Sequence, residues 1–79
     1  LERLIPFLEK FNYDPHDVRW LGDPIDLVVF DGYSRRTGSN LDQIVFLEVK
    51  FGQSRLTKIQ NRIKQIIREG KIKWDEFRI

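Results

Sequence analysis

The stretch Ile44-Val45-Phe46-Leu47-Glu48-Val49-Lys50 decides the fold. Its apolar, β-branched run predicts a strand in the middle of a sheet. Because the side chains of a strand alternate between two faces, Glu48 and Lys50 are expected on the same face. A solvated ion pair is the ordinary interpretation of an acid and a lysine two residues apart. Here apolar residues flank the acid, which indicates a functional site instead.

A second strand carries a matching carboxylate. The run from Ile25 to Phe30 is apolar except for Asp26, and a polar, turn-rich loop separates it from the first stretch. The two strands therefore predict a long-looped antiparallel hairpin, in which the end of one strand lies beside the start of the other. We expect Asp26 and Glu48 to meet, although 22 residues separate them. Asp23 is the alternative partner for Glu48.

Two converging carboxylates predict a site for Mg²⁺ or Mn²⁺, which prefer hard oxygen ligands. The backbone carbonyl of Val49 lies between the two side chains of the site and is a candidate further ligand. Lys50 is expected to reach the same substrate atoms. This arrangement suits phosphodiester hydrolysis, because a bound cation lowers the pKa of water and a lysine stabilises negative charge in the transition state.

The rest of the chain predicts an α/β fold. The helical segment after the third strand is expected to pack one apolar stripe, begin after an N-cap at Ser54 and end at Gly70. A helical crossover makes the strands before and after it parallel, so we expect a four-stranded mixed sheet flanked by two helices. The predicted elements are a helix over Leu1–Phe11 kinked at Pro6, strands over Val18–Leu21, Ile25–Phe30 and Gln43–Phe51, a helix between Ser54 and Gly70, and a strand over Lys71–Ile79.

Composition narrows the class of protein. The 79 residues form one small domain, and the absence of cysteine excludes disulfides and fits a cytoplasmic, intracellular location. No apolar run approaches the roughly 20 residues that span a bilayer, so no membrane association is expected. The first residues have the pattern of a helix interior and no initiator methionine precedes them, which predicts a fragment truncated at the N-terminus.

Charge is distributed unevenly along the chain. Residues 50–73 hold eight basic residues and one acidic residue, a net charge of +7, whereas the remainder has a net charge of −5. A basic segment beside an acidic one predicts a polyanionic partner, although a solvated helix face is the alternative. The candidate nucleic-acid-binding residues are Arg35, Arg36, Arg55, Lys58, Lys64 and Arg68.

Several of these motifs resemble a known nuclease signature. Gly22-Asp23-Pro24-Ile25-Asp26 followed by Phe46-Leu47-Glu48-Val49-Lys50 resembles the PD-(D/E)xK pattern, and the order of elements matches the αβββαβ core of that superfamily. More narrowly, residues 21–32, Glu48-Val49-Lys50, Ser54-Arg55-Leu56 and residues 70–74 resemble the endonuclease-like family related to archaeal Holliday junction resolvases.

The resemblance implies further site residues and a substrate. In such nucleases a glutamate on the first helix often joins the metal site, and Glu2 matches that position. A glutamine on the second helix often reaches the site, and Gln60 matches it. Lys64 and Arg68 follow Gln60 on the same helix flank, whereas Arg55 and Lys58 lie on the opposite flank. The resemblance also implies DNA as the partner, four-way junctions as the preferred substrate, a role in DNA recombination and repair, and a two-fold homodimer.

The function predicted from the sequence is therefore a metal-dependent DNA endonuclease with Asp26, Glu48, Lys50 and Gln60 as its catalytic residues. The alternative is a non-catalytic nuclease-like module that binds nucleic acid or a partner protein. The acid-acid-lysine set favours the enzyme, because neither a binding module nor a structural domain requires it.

Overall fold

A computed structural model describes residues 8–35 and 40–79 of the chain. They form a three-stranded antiparallel sheet in the order β1-β2-β3, with β1 over Val18–Trp20, β2 over Leu27–Asp31 and β3 over Gln43–Leu47. One α-helix, α1, runs over Lys58–Arg68. Two short 3-10 turns, Pro15–Asp17 and Tyr33–Arg35, lie beside the sheet. The α/β class and the meander of three strands agree with the sequence prediction.

One face of the sheet, here called the core face, carries the hydrophobic core. Leu27 and Val29 are fully buried on it and Val18 is 8% exposed. The register places Val29 opposite both Val18 and Val45, so three strands contribute to the same cluster. Full burial of one such aliphatic side chain stabilises the fold by roughly 1.5–3 kcal/mol. The half-buried residues that pack against this cluster are Phe11, Tyr13, Trp20, Val45 and Leu47.

A buried carboxylate joins the start of β1 to the end of β2. Asp17 is fully buried, and it accepts hydrogen bonds from the backbone N–H groups of Gly32 at 2.9 Å and Ser34 at 2.6 Å. Burial alone raises the pKa of Asp17, but these hydrogen bonds outweigh it and hold the pKa below the usual value. Gly32 has φ +101°, and a Cβ there would overlap the carbonyl oxygen of Asn40. Only glycine fits this position.

Helix α1 lies over the opposite face of the sheet, here called the helix face. Its N-cap is Thr57, not Ser54, because Thr57 and Gln60 form a reciprocal capping box. Its C-terminus matches the prediction: Gly70 has φ +72°, and the N–H groups of Gly70 and Lys71 donate to the carbonyls of Ile67 and Ile66. The predicted packed stripe is wrong in one respect, since no α1 residue is buried and Ile59 is 61% exposed.

The predicted fourth strand is wrong. Residues 71–79 form no strand in the structure and all of them are exposed. The four-stranded mixed sheet is accordingly a three-stranded antiparallel one in the described part of the chain, and the parallel pairing is absent there. Alternation of β-branched and aromatic residues gives this segment strand propensity, but propensity supplies no hydrogen-bonding partner. The predicted first helix over residues 1–11 lies largely outside the described residues, and its described part, residues 8–11, forms a turn closed by the Phe11 N–H and the Leu8 carbonyl instead of a helix.

The second and third strands are shorter than predicted. β2 begins at Leu27, so Asp26 precedes the strand, and β3 ends at Leu47 instead of Phe51. The physical reason is a change of hydrogen-bond partner at the common end of the two strands, where side-chain carboxylates replace backbone carbonyls.

Candidate functional site

The site begins where the β2–β3 ladder ends. Leu27 pairs with Leu47, and beyond this pair two backbone N–H groups donate to side-chain carboxylates. The N–H of Asp26 donates to Glu48 Oε1 at 3.0 Å, and the N–H of Val49 donates to Asp26 Oδ2 at 2.8 Å. Two reciprocal bonds therefore place Asp26 and Glu48 side by side, as the hairpin spacing predicts.

Two further side chains converge on Glu48 Oε2. The Lys50 ammonium lies 3.2 Å from this oxygen, and Gln60 Nε2 donates to it at 2.9 Å. Gln60 Nε2 also donates to the carbonyl of Pro24 at 3.0 Å, which ties α1 to the loop before β2. The Asp23–Pro24 peptide bond in this loop is cis. Residues from three separate segments of the chain thus meet at one carboxylate.

The cluster is partly shielded from water and has a negative balance. Asp26 is 7% exposed, while the side chains of Glu48 and Lys50 are 15% and 27% exposed. Two carboxylates face one ammonium, which leaves one formal negative charge. No other described residue donates a hydrogen bond to Asp26 Oδ1, and every buried side-chain oxygen in the described ranges has a partner. Among the described residues, Asp26 Oδ1 is therefore the carboxylate oxygen of the pair that accepts no hydrogen bond.

A groove of about 330 Å³ runs from this cluster along the helix face of the sheet. It lies between α1 and β3, and its floor and walls are mainly apolar. Its lining includes Glu48 and Gln60 of the cluster and two of the predicted DNA-binding residues, Lys64 and Arg68. The groove is lined by Ile25, Phe46, Glu48, Leu56, Gln60, Ile63, Lys64, Ile67 and Arg68.

Comparison with known proteins identifies the family. A family model described as "endonuclease related to archaeal Holliday junction resolvase" matches residues 1–79, the whole chain. The chain belongs to this family. The match confirms the resemblance seen in the sequence motifs. No curated protein and no solved structure matches the chain significantly.

Membership in the family of endonucleases related to archaeal Holliday junction resolvases indicates nuclease activity in general and makes nucleic-acid binding plausible. None of the helices in residues 8–35 and 40–79 has the length and apolarity that crossing a lipid bilayer requires.

The residues of this family member fit a hard divalent cation with few protein ligands. The donor set consists of two adjacent carboxylates, and Asp26 Oδ1 accepts no hydrogen bond from the described residues. No group of three or more acidic, histidine or cysteine side chains comes together within the described part of the chain. Mg²⁺ is commonly held by one or two carboxylates with several waters, so two suffice. The Val49 carbonyl and Glu2 as ligands stay predictions, and Glu2 lies outside the described residues.

The structure separates other predicted residues from this cluster. Asp23 is exposed and makes no hydrogen bond to Glu48, which distinguishes it from Asp26. Arg35 lies beyond the opposite end of β2 and donates to the carbonyl of Asn40 at 3.2 Å. Arg55 and Lys58 are exposed and do not line the groove. Arg36 lies outside the described residues.

Sequence reasoning missed the parts that hold Gln60 in place. The Thr57-x-x-Gln60 spacing is the signal of a capping box and could have located both the start of α1 and the orientation of the glutamine. The contact between Gln60 and the Pro24 carbonyl has no such signal in the sequence, because every residue has a backbone carbonyl. Of the two tryptophans, Trp74 is 85% exposed, whereas Trp20 packs against the core.

Proposed function

We propose that this chain is a metal-dependent endodeoxyribonuclease that hydrolyses phosphodiester bonds in branched DNA such as four-way junctions. The observation that carries the proposal is the convergence of Lys50 and Gln60 on Glu48 Oε2, with Asp26 bonded to the same glutamate. Asp26 and Glu48 are neighbours at the end of the sheet, beside the Lys50 ammonium and a basic flank of α1. This arrangement suits phosphate chemistry better than a structural role.

In this proposal Asp26 and Glu48 hold Mg²⁺ or Mn²⁺. The bound cation supplies an activated water and neutralises charge on the phosphate. Lys50 then stands within reach of the same phosphate, where its ammonium stabilises negative charge that develops in the transition state. Gln60 is a positioning residue, because it fixes Glu48 against α1 and against the Pro24 carbonyl.

Four-way junctions carry two symmetric strands to be cut, which calls for two sites related by a two-fold axis. The proposal therefore includes a homodimer. The basic residues Lys64 and Arg68 lie along the groove that begins at Glu48, so a DNA strand leaving the cleavage site would pass them.

The direct test incubates a labelled four-way junction and a matched duplex with the protein and Mg²⁺ or Mn²⁺. We expect junction cleavage by the unchanged chain and a loss of at least about 100-fold in rate for Asp26→Asn and for Lys50→Ala. Asp23→Asn is the matched control, since it removes an equivalent carboxylate three residues away. Failure of the unchanged protein to cut any DNA with either ion would falsify the proposal, and loss of activity in Asp23→Asn alone would transfer the ligand role to that residue.

A second candidate function, a non-catalytic nuclease-like module, is favoured by one observation. Each oxygen of Glu48 already has a partner, because Oε1 accepts from the Asp26 N–H while Oε2 faces Lys50 and Gln60. Calorimetric titration with Ca²⁺ separates the two functions. Heat that disappears in Asp26→Asn indicates a working cation site, whereas DNA binding without any cation binding indicates the module.

A further inference from the structure

A second concave surface lies beyond the other end of β2, away from the candidate active site. Its volume is about 490 Å³, which is within the range of small-molecule sites. The lining combines two guanidinium groups, an imidazole, a phenol, a hydroxyl and one carboxylate, and it shares no residue with the groove between α1 and β3. This surface, here called the Tyr33 pocket, is lined by Asp14, His16, Arg19, Tyr33, Ser34 and Arg35.

Contacts within the pocket wall fix the position of Arg19. Its Nη1 donates to the carbonyls of His16 at 3.1 Å and Val18 at 2.8 Å, and its guanidinium lies over the Tyr33 ring, 5.4 Å from the centroid. A guanidinium carries five N–H donors, of which Nη1 supplies two. The Nε and Nη2 groups donate to no residue in the described part of the chain. They form an edge that can bind a phosphate through two parallel hydrogen bonds.

The pocket carries an excess of positive charge. Among residues 8–35 and 40–79, neither Arg19 nor Arg35 forms an ion pair with a carboxylate. The one carboxylate of the lining, Asp14, accepts from the His16 N–H at 2.9 Å and from Ser34 Oγ at 3.0 Å, and it also contacts His16 Nδ1. Two guanidinium groups therefore face a single carboxylate that already has partners, and this balance attracts an anion.

Aromatic surface adjoins this charge. Tyr33 is 55% exposed, and Phe30 lines a smaller cavity together with Arg19 and Tyr33. Guanidinium groups interleaved with exposed rings are typical of sites that bind the phosphate of a nucleotide and stack its base. An inorganic anion would use only the arginines and leave the ring without a partner. The combination therefore favours a nucleotide over a simple anion.

We propose that the Tyr33 pocket binds one nucleotide, with its phosphate on Arg19 and Arg35 and its base against the Tyr33 ring. A DNA strand and a free nucleoside monophosphate offer the pocket this same chemistry, so the test includes both sources. The site lies apart from Asp26 and Glu48 and requires neither a metal nor cleavage. Its binding is therefore measured with a metal chelator present, and a failed nuclease assay does not bear on it.

Calorimetric titration of the full chain with thymidine 5′-monophosphate tests the site. We expect binding that Arg19→Gln weakens by about tenfold or more, because hydrogen bonds to a charged phosphate are lost. Tyr33→Leu should weaken it by about fivefold or more, because base stacking is lost. Tyr33→Phe keeps the ring and should retain the affinity. Arg55→Gln is the matched control, since Arg55 is an exposed arginine outside the pocket.

Thymidine, which lacks the phosphate, is the control ligand and requires no substitution. If thymidine binds the unchanged chain as tightly as the monophosphate does, the arginines do not hold a phosphate and the proposal is overturned. If Arg19→Gln and Tyr33→Leu bind the monophosphate as tightly as Arg55→Gln does, the ligand lies elsewhere, which also overturns the proposal.

A short single-stranded thymidine oligonucleotide separates the two sources of the nucleotide. It is titrated against a chain that carries Lys64→Ala and Arg68→Ala, so that the groove proposed for the DNA strand contributes less and the two surfaces are distinguished. Weakening by Arg19→Gln and Tyr33→Leu of oligonucleotide binding alone supports the pocket as a contact for a DNA strand. Weakening of monophosphate binding alone supports a free nucleotide. Binding of neither probe by the unchanged chain would overturn the proposal.

Discussion

Gln60 uses each polar atom of its side chain. Oε1 accepts from the Thr57 N–H at 3.0 Å, and Nε2 donates to the Pro24 carbonyl and to Glu48 Oε2. The acceptor and donor roles agree at every contact, which fixes the orientation of the amide. One residue thereby joins the start of α1, the loop before β2 and the candidate catalytic glutamate.

Gln60→Ala is expected to lower the free energy of unfolding by about 1–3 kcal/mol, because it removes half of a capping box and two further hydrogen bonds. Urea unfolding measures this change. Gln65→Ala is the control, since Gln65 lies on the same helix and bonds only to exposed Arg62 and Glu69. Equal destabilisation by the two variants would contradict the role assigned to Gln60.

Asp17 gives the fold a sensitivity to acid. Its pKa is lower in the folded protein than the ordinary 3.8, because the Gly32 and Ser34 N–H groups outweigh the effect of burial. As the pH falls, the unfolded chain therefore binds more protons than the folded chain does. The stabilisation is complete above about pH 4 and is lost as the pH falls through the folded-state pKa.

Asp17→Asn is expected to cost about 1.5–3 kcal/mol at pH 7, because hydrogen bonds to a charged acceptor are lost. It should also flatten the decline in stability below about pH 4. Chemical unfolding at a series of pH values provides both quantities. Asp42→Asn, at an exposed position, serves for comparison. If Asp17→Asn kept the full decline in stability at low pH, that decline would have to arise from other residues.

At the scale of the element, the start of α1 shows how local signals compete. Ser54 and Thr57 are both good N-cap residues, and the sequence alone favoured Ser54. The structure instead uses Thr57, because only Thr57 has a glutamine three residues later. The Ser54 N–H donates to the Phe51 carbonyl in a turn that precedes the helix.

Thr57→Ala is expected to lower stability by about 1 kcal/mol and to reduce helicity measured by circular dichroism, because the first turn loses its side-chain acceptor. Ser54→Ala should leave both quantities unchanged within about 0.5 kcal/mol, the range of ordinary surface substitutions. If Ser54→Ala were the more damaging change, the helix would begin earlier than the structure shows.

Elements differed in how far the sequence could predict them. The β2–β3 hairpin was predictable because both strands carry strong apolar runs, and its antiparallel register by itself brings Asp26 beside Glu48. The C-terminal end of α1 was predictable because Gly70 adopts a conformation that other residues avoid. The ends of β2 and β3 were not, since they depend on carboxylates replacing backbone carbonyls. The role of Asp17 was not predictable for the same reason, since the backbone N–H groups that donate to its carboxylate lie 15 and 17 residues away.

On the scale of the whole molecule, strand propensity in residues 71–79 did not determine where that segment lies. A strand is defined by its partner, and a single sequence specifies the partner only when a short turn joins the two. The uneven charge is a global property of another kind. It is readable from the sequence, but the structure decides which basic residues adjoin the site.

If the chain binds DNA along the groove, Lys64→Ala and Arg68→Ala should each weaken binding in every sequence context. Each should also reduce the slope of log K against log salt concentration by about 0.9, the contribution of one phosphate contact on duplex DNA. Arg55→Ala and Lys58→Ala should leave the slope unchanged, because neither side chain lines the groove. Fluorescence anisotropy over a salt series, with Ca²⁺ in place of Mg²⁺, measures all four, and equal slopes would exclude the groove as the path.

The last two hydrogen bonds of the β2–β3 hairpin are accepted by side-chain oxygens of Asp26 and Glu48. Any event that draws one of these oxygens away from its amide opens the hairpin at that end. Hydrogen exchange at the Asp26 and Val49 amides would therefore report on the chemical state of the carboxylates, without any label. In this protein, a chemical change at the two acids therefore also changes how readily this end of the hairpin opens.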